Sequence, residues 1–351
     1  MMRTILAAIK PYLRWVIIGL TLCFILAALR DGWSEVVQLR LRSQGLRYLM
    51  IGFGLTLLAH GWSGWVWGWI LRDLDQTVTA PWAIGTFLRT NIAKYLPGNI
   101  WHFVGRVRAA IRQDIPLMIA VLSVAIEALC MAAAAAVLAI AVLPFPGAIG
   151  VGLILIAIGV HPRCFNPIVT RFAAGKVSQF ERIQHQYIDQ TSSKPLELQN
   201  RSIVQDSPNR SIVNPVQTSD DDFTGLTNLN NAPTAQPIGL QRYPWRSLLG
   251  ELGFVILRGL GFLAVWLALA PLEIDDLPRL VGGFSFAWLL GLVVPGAPGG
   301  IGVFEATALS IWTTHWPTGI ILGAIALYRL ISVATEAIGA VLALGIKSGC
   351  K

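Results

Sequence analysis

Apolar positions in this chain gather in long blocks, without the period-two alternation of a half-buried strand. The blocks run at about Leu13–Leu29, Leu46–Leu71, Leu117–Leu143, Ser247–Ala270 and Thr318–Ile346, with a marginal one at Gly147–Val160. Each of the longer ones approaches or passes the ~20 residues that cross a hydrocarbon layer as a helix. Two further stretches differ. Trp82–Arg112 is broken at Leu96-Pro97-Gly98-Asn99, and Gly282–Trp312 is broken at Pro295-Gly296-Ala297-Pro298-Gly299-Gly300-Ile301-Gly302. The arms beside the breaks are short for a crossing, and proline removes a backbone donor while glycine admits positive φ. The pattern predicts an all-α polytopic membrane protein with about six to eight transmembrane helices and two Pro-Gly-broken re-entrant hairpins.

Between Val160 and Ser247 the pattern lapses. Residues after Gln179 are rich in Ser, Asn, Gln, Asp and Pro, and Asn200-Arg201-Ser202-Ile203-Val204 recurs as Asn209-Arg210-Ser211-Ile212-Val213. Such a segment has too little apolar surface to order itself, and Asp220-Asp221-Asp222 reads as a solvated acidic tract. The expected organisation is a first membrane half at 1–160 with its broken hairpin at 82–112. A polar, largely disordered cytoplasmic linker follows at 161–246, then a second membrane half at 247–351 with its broken hairpin at 280–312.

Composition sharpens the class. Of 351 residues, 54% are hydrophobic and 13% charged, and the net charge is +8, which falls mainly on the membrane part because the linker is nearly balanced. Anionic lipid is therefore the expected partner, and no nucleic-acid module is visible. Cys23, Cys130, Cys164 and Cys350 have neither CxxC nor Cys/His spacing, so no disulfide framework, metal or other cofactor is expected. The basic start MMRTILAAIKPYLRW leads into an apolar run without a small-residue cleavage site, which reads as an uncleaved first helix. In the second block, Gly64 and Gly68 form a GxxxG packing pair, and His60 reads as a hydrogen-bonded interior residue.

The charges that remain inside apolar sequence are the candidate chemistry. The first broken stretch carries Arg89, Lys94, Arg106, Arg108 and Arg112 with His102, and no acid before Asp114. If a helix restarts near Asn99 and runs to Arg112, then Asn99, His102 and Arg106 share a face near its positive end, an arrangement that suits a phosphate-sized anion. The competing reading is that these cations snorkel to the headgroups and the Pro-Gly pair is only a turn. The second broken stretch carries one carboxylate, Glu305; Glu127, Arg258, Arg329 and Glu336 lie within other apolar blocks. Arg329 and Glu336, seven apart, share one helix face and are expected to pair with other helices. If neither hairpin crosses, the two enter from opposite faces as an inverted-topology repeat, an architecture that places binding sites between discontinuous helices. The same count puts the N-terminus, linker and C-terminus on one side. Their Lys and Arg residues favour the cytoplasm, although four Arg between the first two spans argue the other way.

Lys94-Tyr95-Leu96-Pro97-Gly98-Asn99-Ile100-Trp101-His102 with Gly105-Arg106, together with Pro295-Gly296-Ala297-Pro298-Gly299-Gly300-Ile301-Gly302-Val303-Phe304-Glu305-Ala306, resembles the membrane domain of lysylphosphatidylglycerol synthases and related flippase-like proteins. The resemblance covers almost everything except the linker. It implies an integral plasma (inner) membrane protein that moves anionic phospholipid or lipid-linked headgroups between leaflets. It also places Pro97, Gly98, Asn99, Arg106, Pro295, Gly299, Gly300 and Glu305 on the family's motif positions. The bifunctional synthases carry a soluble aminoacyl-transfer domain after the membrane part; here the sequence stops at Lys351, so lysine transfer is not expected.

The expected function is lipid translocation, without enzymatic turnover. Lys94, His102 and Arg106 would hold a phosphate, Arg89 and Arg108 would steer anionic heads, and Glu305 would balance the cation or bind an amino headgroup. The alternative is a membrane enzyme acting on a lipid or polyprenyl phosphate with Glu127, Glu305 or His102 as acid/base. Against it, the sequence has no DxD pair, no Ser/His/Asp set and no metal cluster. A third reading, from the GxxxG pairs and the linker, is association with another membrane protein or a second copy.

Overall fold

A computed structural model describes residues 40–95, 100–140, 243–294 and 298–345, with residues 30, 161, 163 and 167 singly. The expected first span, the marginal Gly147–Val160 span, the linker after Pro167 and the residues Leu96–Asn99 and Pro295–Ala297 lie outside the described residues. All regular structure among the described residues is helical: α1 (Gly45–Asp73), α2 (Ala80–Asn91), α3 (Trp101–Ile111), α4 (Leu117–Ile140), α5 (Trp245–Leu269), α6 (Leu277–Val293), α7 (Val303–Trp312) and α8 (Thr318–Leu344). Short 3₁₀ turns at Ile92–Tyr95, Ile274–Asp276 and Pro298–Gly300 lie between them.

Five helical segments are long and apolar enough to cross a membrane: α1 with 29 residues, α4 with 24, α5 with 25, α8 with 27, and Ile274–Val293 with 20. The chain is an all-α polytopic membrane protein. The segment before the second break departs from expectation. The charged Glu273-Ile274-Asp275-Asp276 stretch winds into a 3₁₀ turn that continues into α6, so an arm expected to be short reaches crossing length. Pro278 is accommodated because it sits in the first turn, where its missing N–H would have had no partner anyway. On the other side, α2, α3 and α7 have 12, 11 and 10 residues. At ~1.5 Å per residue the longest of these is ~18 Å, well under a ~30 Å hydrocarbon core.

The two sequence halves interleave. Helix α1 packs along α5, and α4 lies between α5 and α6. Small residues allow these approaches: a Cβ on Gly52 would stand 3.0 Å from the Gly261 carbonyl, and one on Gly64 would stand 2.9 Å from the Ile84 Cα and the Phe87 Cβ. Gly64 and Gly68 thus seat α2 against α1, as a GxxxG pair does where backbones must come close. Facing the second break is an aromatic core. Phe262 stacks on Phe284 and on Trp312, each at 5.3 Å, and meets Tyr328 edge-on at 5.3 Å. Trp266, Phe304 and Leu280 close around it. Outward positions such as Leu58, Leu249, Leu330, Val341 and Leu344 are exposed and apolar, as a surface solvated by lipid requires.

Candidate functional site

The described turns that flank the two breaks, Ile92–Tyr95 and Pro298–Gly300, meet. Helix α2 starts from an extended Thr79 with Pro81 in its first turn, runs twelve residues and tightens into the 3₁₀ turn that carries Lys94 and Tyr95. After the second break, Gly299, Gly300 and Gly302 have φ of 61°, 70° and 91°, which residues with a Cβ rarely adopt. These glycines bring the chain against the turn that carries Tyr95: a Cβ on Gly299 would come within 3.0 Å of the Tyr95 ring.

Beneath this junction lies a cavity of about 470 Å³, within the ~300–1,000 Å³ typical of ligand pockets. Its lining mixes polar and cationic side chains, Lys94, Tyr95, His102, Arg258, Tyr328 and Arg329, with apolar ones, among them the Ala125, Ala128, Leu129 and Ala132 face of α4.

Each cation has a distinct setting. Lys94 Nζ lies 2.5 Å from Glu336 Oε1, and Glu336 is wholly buried at its side chain. His60 Nε2 stands 3.3 Å from that same oxygen and 3.3 Å from Arg258 Nη1, so it can donate to the carboxylate or accept from the guanidinium, but not both. Arg329 Nε donates to Glu305 Oε1 at 2.7 Å, while its two terminal nitrogens donate to the Gly299 and Gly300 carbonyls at 3.0 and 3.3 Å. Glu305 has a second duty, accepting the Gly302 N–H at 2.6 Å with its other oxygen and so closing the first turn of α7. Arg258 is the exception. It packs over the Tyr328 ring at 5.2 Å, its Nε has no hydrogen-bond partner, and among the described residues no carboxylate lies within ion-pair distance of it. Three cations at the cavity therefore face two contacting carboxylates.

The structure gathers some of the sequence candidates and separates others. Lys94, His102, Gly299, Gly300, Arg258 and Arg329 line the cavity, with Glu305 and Glu336 directly behind as partners. Arg106 does not line it. One turn beyond His102, it is buried between the rings of Phe87 and Phe103 and pairs with Glu127 of α4. The expected His102–Arg106 face exists, but α4 captures its second member, because a buried guanidinium needs a counter-charge. Arg89 Nε donates to the Gly85 carbonyl of its own helix, and Arg108 is exposed. Helix α3 itself begins at Trp101, not at Asn99. Pro97, Gly98, Asn99 and Pro295 lie outside the described residues.

Sequence reasoning missed Tyr95, Tyr328 and Trp288 in the lining, and Glu251 in the buried core. Glu251 was findable: it sits seven residues before Arg258 in the same apolar block, a second charge on one helix face. The tyrosines and the tryptophan gave no such signal, since aromatic residues recur throughout the apolar blocks. Among the described residues, no group of three or more His, Cys, Asp or Glu side chains is placed to hold a metal ion. Compared with known proteins, the chain matches no family model and no curated protein.

Proposed function

We propose that this is a lipid translocator whose cavity holds the anionic head of a phospholipid or lipid-linked phosphate. The observation that carries the reading is the charge imbalance at the junction of the two turns: Lys94, Arg258 and Arg329 against Glu336 and Glu305, with Arg258 lacking a carboxylate. An unpaired guanidinium at membrane depth costs at least a few kcal/mol, and an anionic ligand is a natural way to recover it. The mixed lining supports an amphiphile over a free inorganic anion. A phosphate fits the cationic side chains, while Ala125, Ala128, Leu129 and Ala132 of α4 offer a smooth apolar face to the first carbons of a chain. The cavity takes a headgroup but not two full acyl chains, so the chains stay in the bilayer while the head passes.

On this reading α2–α3 and α6–α7 are the two arms of an inverted repeat, and the resemblance to flippase-like membrane domains adds the expectation of lipid movement. The protein belongs in the plasma (inner) membrane. Of the acid/base candidates of the enzymatic alternative, Glu127 and Glu305 are each held in an ion pair, and His102 stands at the cavity without a nucleophile or metal beside it among the described residues. The test is reconstitution. Protein in liposomes should move a fluorescent phosphatidylglycerol between leaflets, and Arg258→Gln should cut the rate at least tenfold while the helical circular-dichroism spectrum is retained. Wild-type liposomes no faster than protein-free ones, or an Arg258→Gln protein as fast as wild type, would overturn it.

A further inference from the structure

A second group of charges lies away from the cavity, between α3, α4 and α5. Glu127 of α4 pairs with Arg106 of α3, and both are buried. Glu251 of α5 has no exposed surface, and neither of its carboxylate oxygens has a hydrogen-bond partner. It lies within electrostatic reach of both Glu127 and Arg106, and Cys130 of α4 faces the same space. The other helices packed on α5 place their titratable groups elsewhere. His60 of α1 and Glu336 of α8 gather at the level of Arg258, two turns along; α1 meets the Glu251 level through Trp62, which donates to the Gly250 carbonyl, and α6 brings Trp288 against Phe254.

Glu127 holds the Arg106 guanidinium, and Glu251, on the neighbouring α5, is left without a partner of its own. With both acids ionised the cluster carries a net negative charge, and among the described residues no cation pairs with Glu251, which low-dielectric burial opposes. One bound proton brings it to neutrality. A metal cation is a poor alternative, since the Arg106 guanidinium already occupies one carboxylate and would repel it. We infer that Glu251, with Glu127 and Arg106, is a buried binding site for one proton, and that α4 links the loading of this site to the state of the cavity.

The link rests on the geometry of α4. Ala125, Ala128, Leu129 and Ala132 face the cavity, while Glu127 and Cys130 on the same helix face the acid cluster. A rotation or tilt of α4 that reshapes the apolar face also moves Glu127 relative to Arg106 and Glu251. Loading is the addition of a proton to one Glu251 oxygen, and unloading returns it to water; no other reactant is involved.

Infrared spectroscopy of the full chain in lipid nanodiscs tests the site directly. Wild-type protein at neutral pH should show a carboxylic-acid C=O band that shifts in heavy water and disappears in Glu251→Gln. Glu127→Gln leaves one carboxylate per guanidinium and should also lose the band, whereas Arg106→Gln should roughly double it, because both acids then stay neutral. No such band in the wild type, or a band unchanged in Glu251→Gln, would overturn the proton site. These spectra need no lipid cargo, so they stand or fall separately from the translocator reading. The link to the cavity is tested by titrating the nanodiscs with short-chain phosphatidylglycerol, a phosphodiester with no proton of its own to exchange near neutral pH, in two buffers of different ionisation enthalpy. Wild type should exchange protons on binding and Glu251→Gln should not. Equal exchange in the two proteins, or none in the wild type, would refute the link.

Discussion

Glu336→Gln is the perturbation whose consequence can be worked most fully from the geometry. The Glu336 side chain has no exposed surface, and its Oε1 lies 2.5 Å from Lys94 Nζ and 3.3 Å from His60 Nε2. Neutralising it leaves Lys94 in electrostatic contact with Arg258 and Arg329 and without a counter-charge. Removing one partner of a buried ion pair costs ~3–5 kcal/mol. Lys94 keeps a fifth of its side chain exposed to the cavity and can shed its proton, so the lower end, about 3 kcal/mol, is expected. Against a typical total of ~5–15 kcal/mol this is a large loss. The companion Lys94→Met removes the stranded cation, so the double variant should be less destabilised than the sum of the singles by about 2 kcal/mol, a coupling within the usual range for contacting residues. The assay is reversible unfolding in mixed micelles of rising SDS content, followed by circular dichroism for the wild type, both singles and the double. Additivity within ~0.5 kcal/mol, the behaviour of independent sites, would refute the claim that Lys94 and Glu336 depend on each other.

Two further outcomes follow from the packing and the glycine loop. Gly64→Ala puts a methyl group 2.9 Å from the Ile84 backbone and should destabilise by about 1–3 kcal/mol through overpacking, whereas Gly54→Ala, with nothing within 4 Å, should stabilise α1 by up to ~1 kcal/mol; the same SDS titration ranks them, and equal midpoints would contradict the helix contact. Arg329→Lys cannot reproduce three donations to Glu305, Gly299 and Gly300 from a planar fork, so amide hydrogen exchange at Gly299–Gly302 should quicken at least tenfold; unchanged exchange would mean the arginine does not hold the loop.

The helical architecture was legible because it depends on hydropathy and on proline and glycine, which act locally. The boundaries of α1, α4, α5 and α8 fall near the ends of apolar blocks for that reason. Helix α6 ran longer than expected because Ile274-Asp275-Asp276 can wind into a 3₁₀ turn, which a count of apolar residues overlooks. At the site, the charged residues were visible as rarities in apolar sequence, and Arg329 and Glu336 do pair across helices. What one-dimensional sequence could not supply was the pairing. Arg106 and His102 stand one helical turn apart, yet Glu127 claims the first and the cavity the second. That choice is made by α4, whose position depends on close packing with α5 and α6, contacts remote in sequence. Glu251 went unnoticed beside Arg258 for a related reason: the two share one helix face, and what separates them is height along α5, where different neighbours meet each.

The way Arg329 is committed bears on how any anion there would behave. Its nitrogens are already engaged by Glu305 and two glycine carbonyls. An incoming phosphate must therefore compete with a resident carboxylate, and whatever it gains is offset by what the loop gives up. Such a seat favours exchange over retention. It suits brief occupancy and prompt departure, which is what a passage requires and a storage site does not.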